Sequence, residues 1–204
     1  VALKLIHPHL ALEPTFVEMF LDEARIASRI NHPNVCSVFD FGKADTSYYI
    51  AMEYLLGESL AKVFSVLSSE GELQAARHYS LAAWIVAEAC EGLHAAHELL
   101  DERGVPMEVV HRDISPHNLF VTYDGSVRVV DFGIARAADQ LHETTTGSIK
   151  GKYAYMAPEQ ALGRPLDRRA DIWSLGVVLW EFLTGERLFR RGTPAETILA
   201  LTSE

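Results

Sequence analysis

The sequence predicts an α+β fold, with a β-rich first part carrying one helix and a mainly helical remainder. Three observations predict it. Strand-like apolar runs bounded by turn signals fill the first ~55 residues. From Leu60 onward, apolar residues recur at helical spacing. Two short apolar runs flank Asp124-Gly125, a strong hairpin signal inside the helical part. With 204 residues the chain can form one large domain or two small lobes sharing a cleft.

The elements follow in order. Val1 to Ile6 (VALKLI) is an apolar run with a lone lysine, Lys4, and reads as a strand with one side chain aimed at a cleft. Pro14 and Thr15 open a helix that places Phe16, Phe20, Ala24, Ala27 and Ile30 on one face, bordered by Glu23. Asn31-His32-Pro33-Asn34 breaks it. Val35 to Phe41 and Tyr48 to Tyr54 read as antiparallel strands, joined by a polar linker from Gly42 to Ser47. Leu55-Leu56-Gly57 is a crossover. Ser80 is the expected N-cap of a helix with Leu81, Ile85, Ala89, Leu93 and Ala96 on one face, and Gly104 follows its end. A strand-like Val109-Val110 leads into His111-Arg112-Asp113-Ile114-Ser115-Pro116-His117-Asn118. Leu119 to Thr122 and Val127 to Val130 form the hairpin, and Asp131-Phe132-Gly133 comes directly after it. Asp139 to Gly151 is too polar for a core element. Asp167 is the expected cap of a helix running to Thr184, stopped by Gly185 and apolar almost all round from Ile172 to Leu179, hence buried.

Composition narrows the function. Hydrophobic residues make up 49% and charged residues 23%, as in a soluble globular chain. A net charge of −10 disfavours nucleic acid as a partner. Cys36 and Cys90 lie far apart in apolar surroundings and read as buried free thiols. His94 and His97 have no third partner at metal-ligand spacing and read as helix residues. No apolar run reaches roughly 18 residues, the longest candidate being interrupted by Glu181, so no membrane contact is expected from this segment. The expected compartment is the cytoplasm, with any anchor of a larger protein elsewhere. The sequence begins inside a strand and stops inside a helix, and so reads as a fragment.

Several polar residues fit phosphoryl transfer, which needs cations for a triphosphate, oxygen ligands for Mg²⁺ and a group to orient the acceptor hydroxyl. Lys4 is a lone strand cation that Glu23 can hold by an ion pair. Asp113 can accept a hydroxyl proton. Asn118 and Asp131 are hard oxygen ligands suited to Mg²⁺. Taken singly, each has an ordinary reading as an edge charge, a solvated glutamate or a turn. Their order and spacing together make a specific pattern.

With these residues the sequence resembles a eukaryotic-type Ser/Thr protein kinase catalytic domain of the bacterial kind, over essentially the whole chain. VALK (Val1 to Lys4) looks like the strand lysine motif, and FLDEA (Phe20 to Ala24) like the helix with the family's glutamate. MEYLLG (Met52 to Gly57) looks like the gatekeeper and hinge. HRDISPHN resembles the catalytic loop, DFG the Mg²⁺ loop, APE (Ala157 to Glu159) the end of the activation segment, and DIWSLG (Asp171 to Gly176) the start of the buried helix. The resemblance implies a two-lobed fold, with a partial N-lobe over 1–54 and a partial C-lobe over 55–204. It implies Mg-ATP in the cleft and a protein substrate with a Ser/Thr acceptor. Glu53 and Leu55 would bind adenine through their backbone, between Ala2 and Phe120, with Met52 as gatekeeper and Ser59 near the ribose. Asp171 would anchor the catalytic loop. Ala27, Val38, His111 and Phe132 would stack as the regulatory spine. A dimer of two such domains, phosphorylating one another, is a candidate assembly.

The sequence departs from the family pattern in three ways. The Gly-rich loop, expected before VALK, and the last helices, with the arginine that pairs with Glu159, lie outside it. Without them the piece is expected to bind ATP poorly and to be marginally stable. Ser115 replaces the lysine that touches the transferring phosphate in most Ser/Thr relatives. Lys152 replaces a threonine that normally contacts the catalytic aspartate. The last two departures are complementary, so Lys152 is expected to reach over Ser115 and supply the missing charge beside Asp113. Arg112 and Arg136 are the expected receivers of a phosphate on Thr144, Thr146 or Ser148. The alternative function is a pseudokinase that holds nucleotide but transfers little. A small-molecule phosphotransferase is disfavoured by the stretch 144–176. A tyrosine kinase is disfavoured by Ser115 and His117, where tyrosine kinases usually carry arginine.

Overall fold

The computed structural model describes residues 1–45, 47–69, 76–132 and 153–203. The first part is a three-stranded antiparallel sheet of β1 (Ala2–Leu5), β2 (Val38–Ala44) and β3 (Ser47–Met52), in the order β1-β3-β2. Its register sets Lys4 opposite Ile50, and both Ala2 and Val38 opposite Met52. Alternation along β1 leaves Leu3 and Leu5 exposed and turns Lys4 inward. Helix α1 (Pro14–Ala27) starts with proline at its first turn, where the missing N–H costs nothing, and covers the inner face. Phe20 and Ala24 of α1 pack there on Ile6 and Ile50. Glu23 is carried into this interface and is only 8% exposed.

Strand β2 runs to Ala44, so the expected Gly42–Ser47 linker is mostly strand. Gly42, Lys43 and Ala44 have little β-propensity, but their pairing with Tyr49, Tyr48 and Ser47 overrides it. Asp45, just past the end of β2, stands at φ 54°.

A second antiparallel sheet joins β4 (Gly57–Ser59), β5 (Leu119–Thr122) and β6 (Val127–Val129). Strand β4 begins at Gly57, the last residue of the expected crossover, and Ser59 pairs with Phe120. The β5–β6 hairpin turns as predicted, with Gly125 at φ 87°, a conformation costly for any residue with a Cβ. Val109 and Val110 are buried but belong to neither sheet, so this run is not a strand.

Helices α2 (Leu60–Ser69) and α3 (Ala76–His97) follow β4. Ile85, Ala89, Leu93 and Ala96 form the buried row of α3 as the spacing predicts. Ser80 is an interior residue of α3, not its cap, because the helix begins at Ala76. Cys90 is exposed and Cys36 is buried; both are free. One residue past Ala89 turns the Cys90 side chain about 100° off the buried row. The turn after α1 is stitched between hairpin and helix. Cys36 N–H donates to Val129 O at 3.0 Å, and the Asn34 amide donates to Glu88 at 2.7 Å and to Val127 O at 3.0 Å.

A 3-10 turn at Tyr153–Tyr155 leads into α4 (Pro158–Ala161), α5 (Arg169–Thr184) and α6 (Pro194–Ser203). The cap position of α5 is Arg168, not the expected Asp167, which lies one residue earlier and accepts from the N–H of Arg169 at 2.9 Å; Gly185 ends α5 at φ 73°. The paired guanidinium of Arg169 holds the Asp167 carboxyl down at about 2. Helix α5 is not buried all round. Ser174, Leu175, Val178 and Phe182 face the core, while Ile172, Trp173 and Trp180 form an exposed side. Apolar composition told how greasy the helix is, not how many sides are covered. The Tyr155 hydroxyl donates to Glu181 of α5 at 2.7 Å, and Arg187 reaches both groups. Burial raises the Glu181 carboxyl despite these donors.

Candidate active site

Lys4 sits at the centre of the site. Its Nζ lies 2.9 Å from Glu23 Oε1 on α1 and 3.0 Å from Asp131 Oδ1, just past β6. Burial alone would lower the Lys4 ammonium, but the Asp131 and Glu23 carboxylates outweigh it and hold its pKa above the ordinary lysine value. Burial raises Glu23, and its contact with Lys4 only partly offsets this. One strand, one helix and the segment after a hairpin, separated by up to 127 positions, thus meet on one cation.

The loop 111–118 is held from below by Asp171. This carboxylate is fully buried and accepts the N–H groups of His111 and Arg112, both at 2.8 Å. His97 donates to it from the end of α3 at 2.8 Å. Burial pushes the His111 imidazole down, and its bonds require the neutral ring. Nε2 donates to Val130 O at 3.0 Å, and Nδ1 accepts the Asp113 N–H at 3.3 Å. The His111 ring packs on Phe132 at 4.6 Å between centroids, and Ala27, Val38 and Phe132 share one core.

Asn118 donates its amide to the Asp113 backbone carbonyl at 2.8 Å and to Asp113 Oδ2 at 2.7 Å. That leaves the Asn118 amide oxygen for a cation. Val130 N–H donates to Asn118 O at 3.0 Å, which seats Asp131 beside the loop. Asp131 is in the left-handed region, at φ 56°. Its side chain is 47% exposed, and one oxygen is not used by Lys4. An amide oxygen and a carboxylate on adjacent segments, next to a fixed lysine, form a hard oxygen donor set that fits Mg²⁺ carried by a triphosphate.

Behind Lys4 a small cleft, open to solvent, is lined by Glu23, Cys36, Val38, Met52, Asp131 and Phe132 among others. Burial pushes the Cys36 thiol up to about 11, so it lines this space as an apolar group. Of the nucleotide residues expected from sequence, Lys4, Met52 and Asp131 line this cavity. Ala2 stands one rung away opposite Met52, and Ser59 and Phe120 are paired on the second sheet. Glu53 and Leu55 lie between the two sheets. The Glu53 N–H is spent on Ser37 O at 2.8 Å.

Ser115 is 1% exposed, and its hydroxyl has no hydrogen-bond partner among the described residues. Arg112 stands at φ 68°, and its Nε is buried without a partner among the described residues. Arg136, Thr144, Thr146, Ser148 and Lys152 lie outside the described residues. Two contacts had no sequence signal. His97 reads as an ordinary helix residue, yet it bonds Asp171. Gln160 follows the APE motif and donates to Arg112 O at 2.9 Å.

In this α+β fold a lysine is thus locked between two carboxylates, one of them directly after the residue that bonds an aspartate–asparagine loop. The chain belongs to the protein kinase domain family, whose profile matches residues 1–203. It is 48% identical over 204 residues to the tyrosine-protein kinase MasK of Myxococcus xanthus, covering 98% of this chain and 31% of that protein. It is 38% identical over 200 residues to the serine/threonine-protein kinase PknB of Mycobacterium tuberculosis, covering 95% of this chain and 30% of that one. It is 37% identical over 185 residues to the serine/threonine-protein kinase PrkC of Bacillus subtilis, covering 91% and 26%. The chain thus spans about a third or less of these relatives.

Proposed function

We propose that this chain is the catalytic domain of a Mg-ATP-dependent protein kinase acting on Ser/Thr hydroxyls. The observation that carries the reading is the bridge from Lys4 to both Glu23 and Asp131, beside an Asp113 tied to Asn118. Bound Mg-ATP would supply an electrophilic phosphorus and an ADP leaving group. Lys4 would hold the phosphates, and Asp131 and Asn118 the metal. Asp113 would orient the acceptor hydroxyl and take its proton. Ala2, Met52, Phe120 and the backbone of Glu53 and Leu55 would form the base site, with Ser59 at the ribose.

Ser115 offers no cation to the transferring phosphate, which supports Lys152 as its replacement. The Nε of Arg112, buried without a partner among the described residues, supports a second role, receiving a phosphate on Thr144, Thr146 or Ser148 together with Arg136. The similarity to a relative named a tyrosine-protein kinase makes the acceptor residue part of the test.

The test is phosphate transfer by the full-length protein in Mg²⁺ and ATP, followed by phosphoamino-acid analysis, beside Asp113→Ala. Phosphoserine or phosphothreonine in the wild type alone is expected. Phosphotyrosine alone would overturn the acceptor assignment. Nucleotide binding without transfer would make this a nucleotide-holding module instead.

A further inference from the structure

We propose that Gln160 is a positioning residue for Asp113, acting through the backbone of the peptide unit that leads into it. This rests on the reading of Asp113 as the group that orients the acceptor hydroxyl. Arg112 is a left-handed, non-glycine residue at φ 68°. Such a conformation persists only when its surroundings hold it. Three groups do so. Asp171 accepts the Arg112 N–H at 2.8 Å. Gln160 Nε2 donates to the Arg112 carbonyl at 2.9 Å. His111 Nδ1 accepts the following N–H, that of Asp113, at 3.3 Å. The peptide plane between Arg112 and Asp113 is therefore pinned at both its oxygen and its nitrogen. Rotation of that plane would swing the Asp113 carboxylate away from Asn118.

Asp171 and His111 belong to the helical base and to the loop itself. Gln160 alone of the three comes from α4, directly after the Tyr153–Tyr155 turn. The turn and the cap that follows it are seated firmly: Ala157 is fully buried, Tyr155 O accepts the Ser174 hydroxyl at 2.7 Å, and the Tyr155 hydroxyl is bonded to Glu181. Gln160 thus makes the alignment of Asp113 depend on how residues 153–160 are docked. It touches neither Lys4 nor the cavity beside it.

The experiment is steady-state transfer by the full-length protein with Gln160→Glu and Gln160→Met, counted per nucleotide-binding site so that unfolded molecules do not enter. Gln160→Met removes the donor at similar length, and kcat is expected to fall about tenfold with KM for ATP unchanged. Gln160→Glu turns an oxygen onto the Arg112 carbonyl at pH 8 and is expected to lose at least as much. As pH falls toward about 4.5, close to the ordinary glutamate value of about 4.3, a large share of the introduced carboxyl takes a proton and becomes a donor. The ratio of its kcat to wild type should then recover, while the Gln160→Met ratio stays flat. Wild-type kcat in both variants, or a flat ratio for Gln160→Glu, would overturn the inference. An active Asp113→Ala in the same assay would instead overturn the reading of the site beneath it.

Discussion

His97 and Asp171 form a buried pair, with His97 Nε2 at 2.8 Å from Asp171 Oδ2 and the two residues 5% and 0% exposed. The same carboxylate holds two consecutive backbone N–H groups of the loop before Asp113. The end of α3, the start of α5 and the loop 111–118 therefore share one charge.

Asp171→Asn keeps the size but turns an N–H₂ group onto backbone donors. The fold is expected to lose about 3 kcal/mol, as when one partner leaves a buried charged network. A urea melt reads this as a lower midpoint at unchanged slope. A midpoint equal to wild type would show that the backbone alone holds the loop.

Lys4→Met should lower phosphate transfer about a hundredfold or more, the scale of losing one preorganised charge at a developing phosphate. Glu23→Gln should cost less, because Lys4 keeps its contact with Asp131 at 3.0 Å. Transfer rates at saturating ATP test the ordering, and an equal loss in both would mean that Glu23 alone orients Lys4.

Stability should fall in mild acid. The folded His111 stays neutral because burial lowers its pKa, although Asp171 and Asp113 pull it up. The unfolded chain takes up its proton near the ordinary histidine value of about 6.5. Below that pH the unfolded state gains a proton that the folded state refuses, so stability drops by at most about 1.4 kcal/mol per pH unit from this group. Thermal melts from pH 7.5 to 5.5 should show a shallower slope for His111→Phe than for wild type. Parallel slopes would assign the effect to other histidines.

Gly92→Ala sets two effects against each other. Alanine favours an exposed helix interior by about 1 kcal/mol. At this site the added Cβ would lie 2.6 Å from Asn34 O, a backbone atom held in the turn after α1. The clash should win, with a net loss of about 1–3 kcal/mol as α3 shifts off that turn. A raised melting temperature would show that the turn yields.

The site was legible where charge stands out against an apolar element. Lys4 in VALKLI and Glu23 beside the Phe20–Ala24 face are of this kind, and the structure brings them to 2.9 Å. The buried row of α3 was legible from helical period. Contacts that a single polar side chain makes far along the chain left no periodic mark. Gln160 and His97 are such cases, because a glutamine or histidine on a helix looks the same whether it meets water or a backbone carbonyl. Strand β2 past Phe41 was hidden for another reason, since its partner strand supplies what Gly42 and Lys43 lack. The start of α3 upstream of Ser80 shows that a good capping residue need not cap.

The open side of α5 also decides what light can report. All three tryptophans of the chain lie on α3 and α5, at 37% exposure for Trp84 and Trp173 and 46% for Trp180. Their emission senses the helical part and its contact with solvent, where added quencher reaches them readily. The sheet that carries Lys4 contains no indole. A melt followed by fluorescence would therefore pass over any earlier loosening of that sheet, and a nucleotide titration watched the same way would be nearly silent.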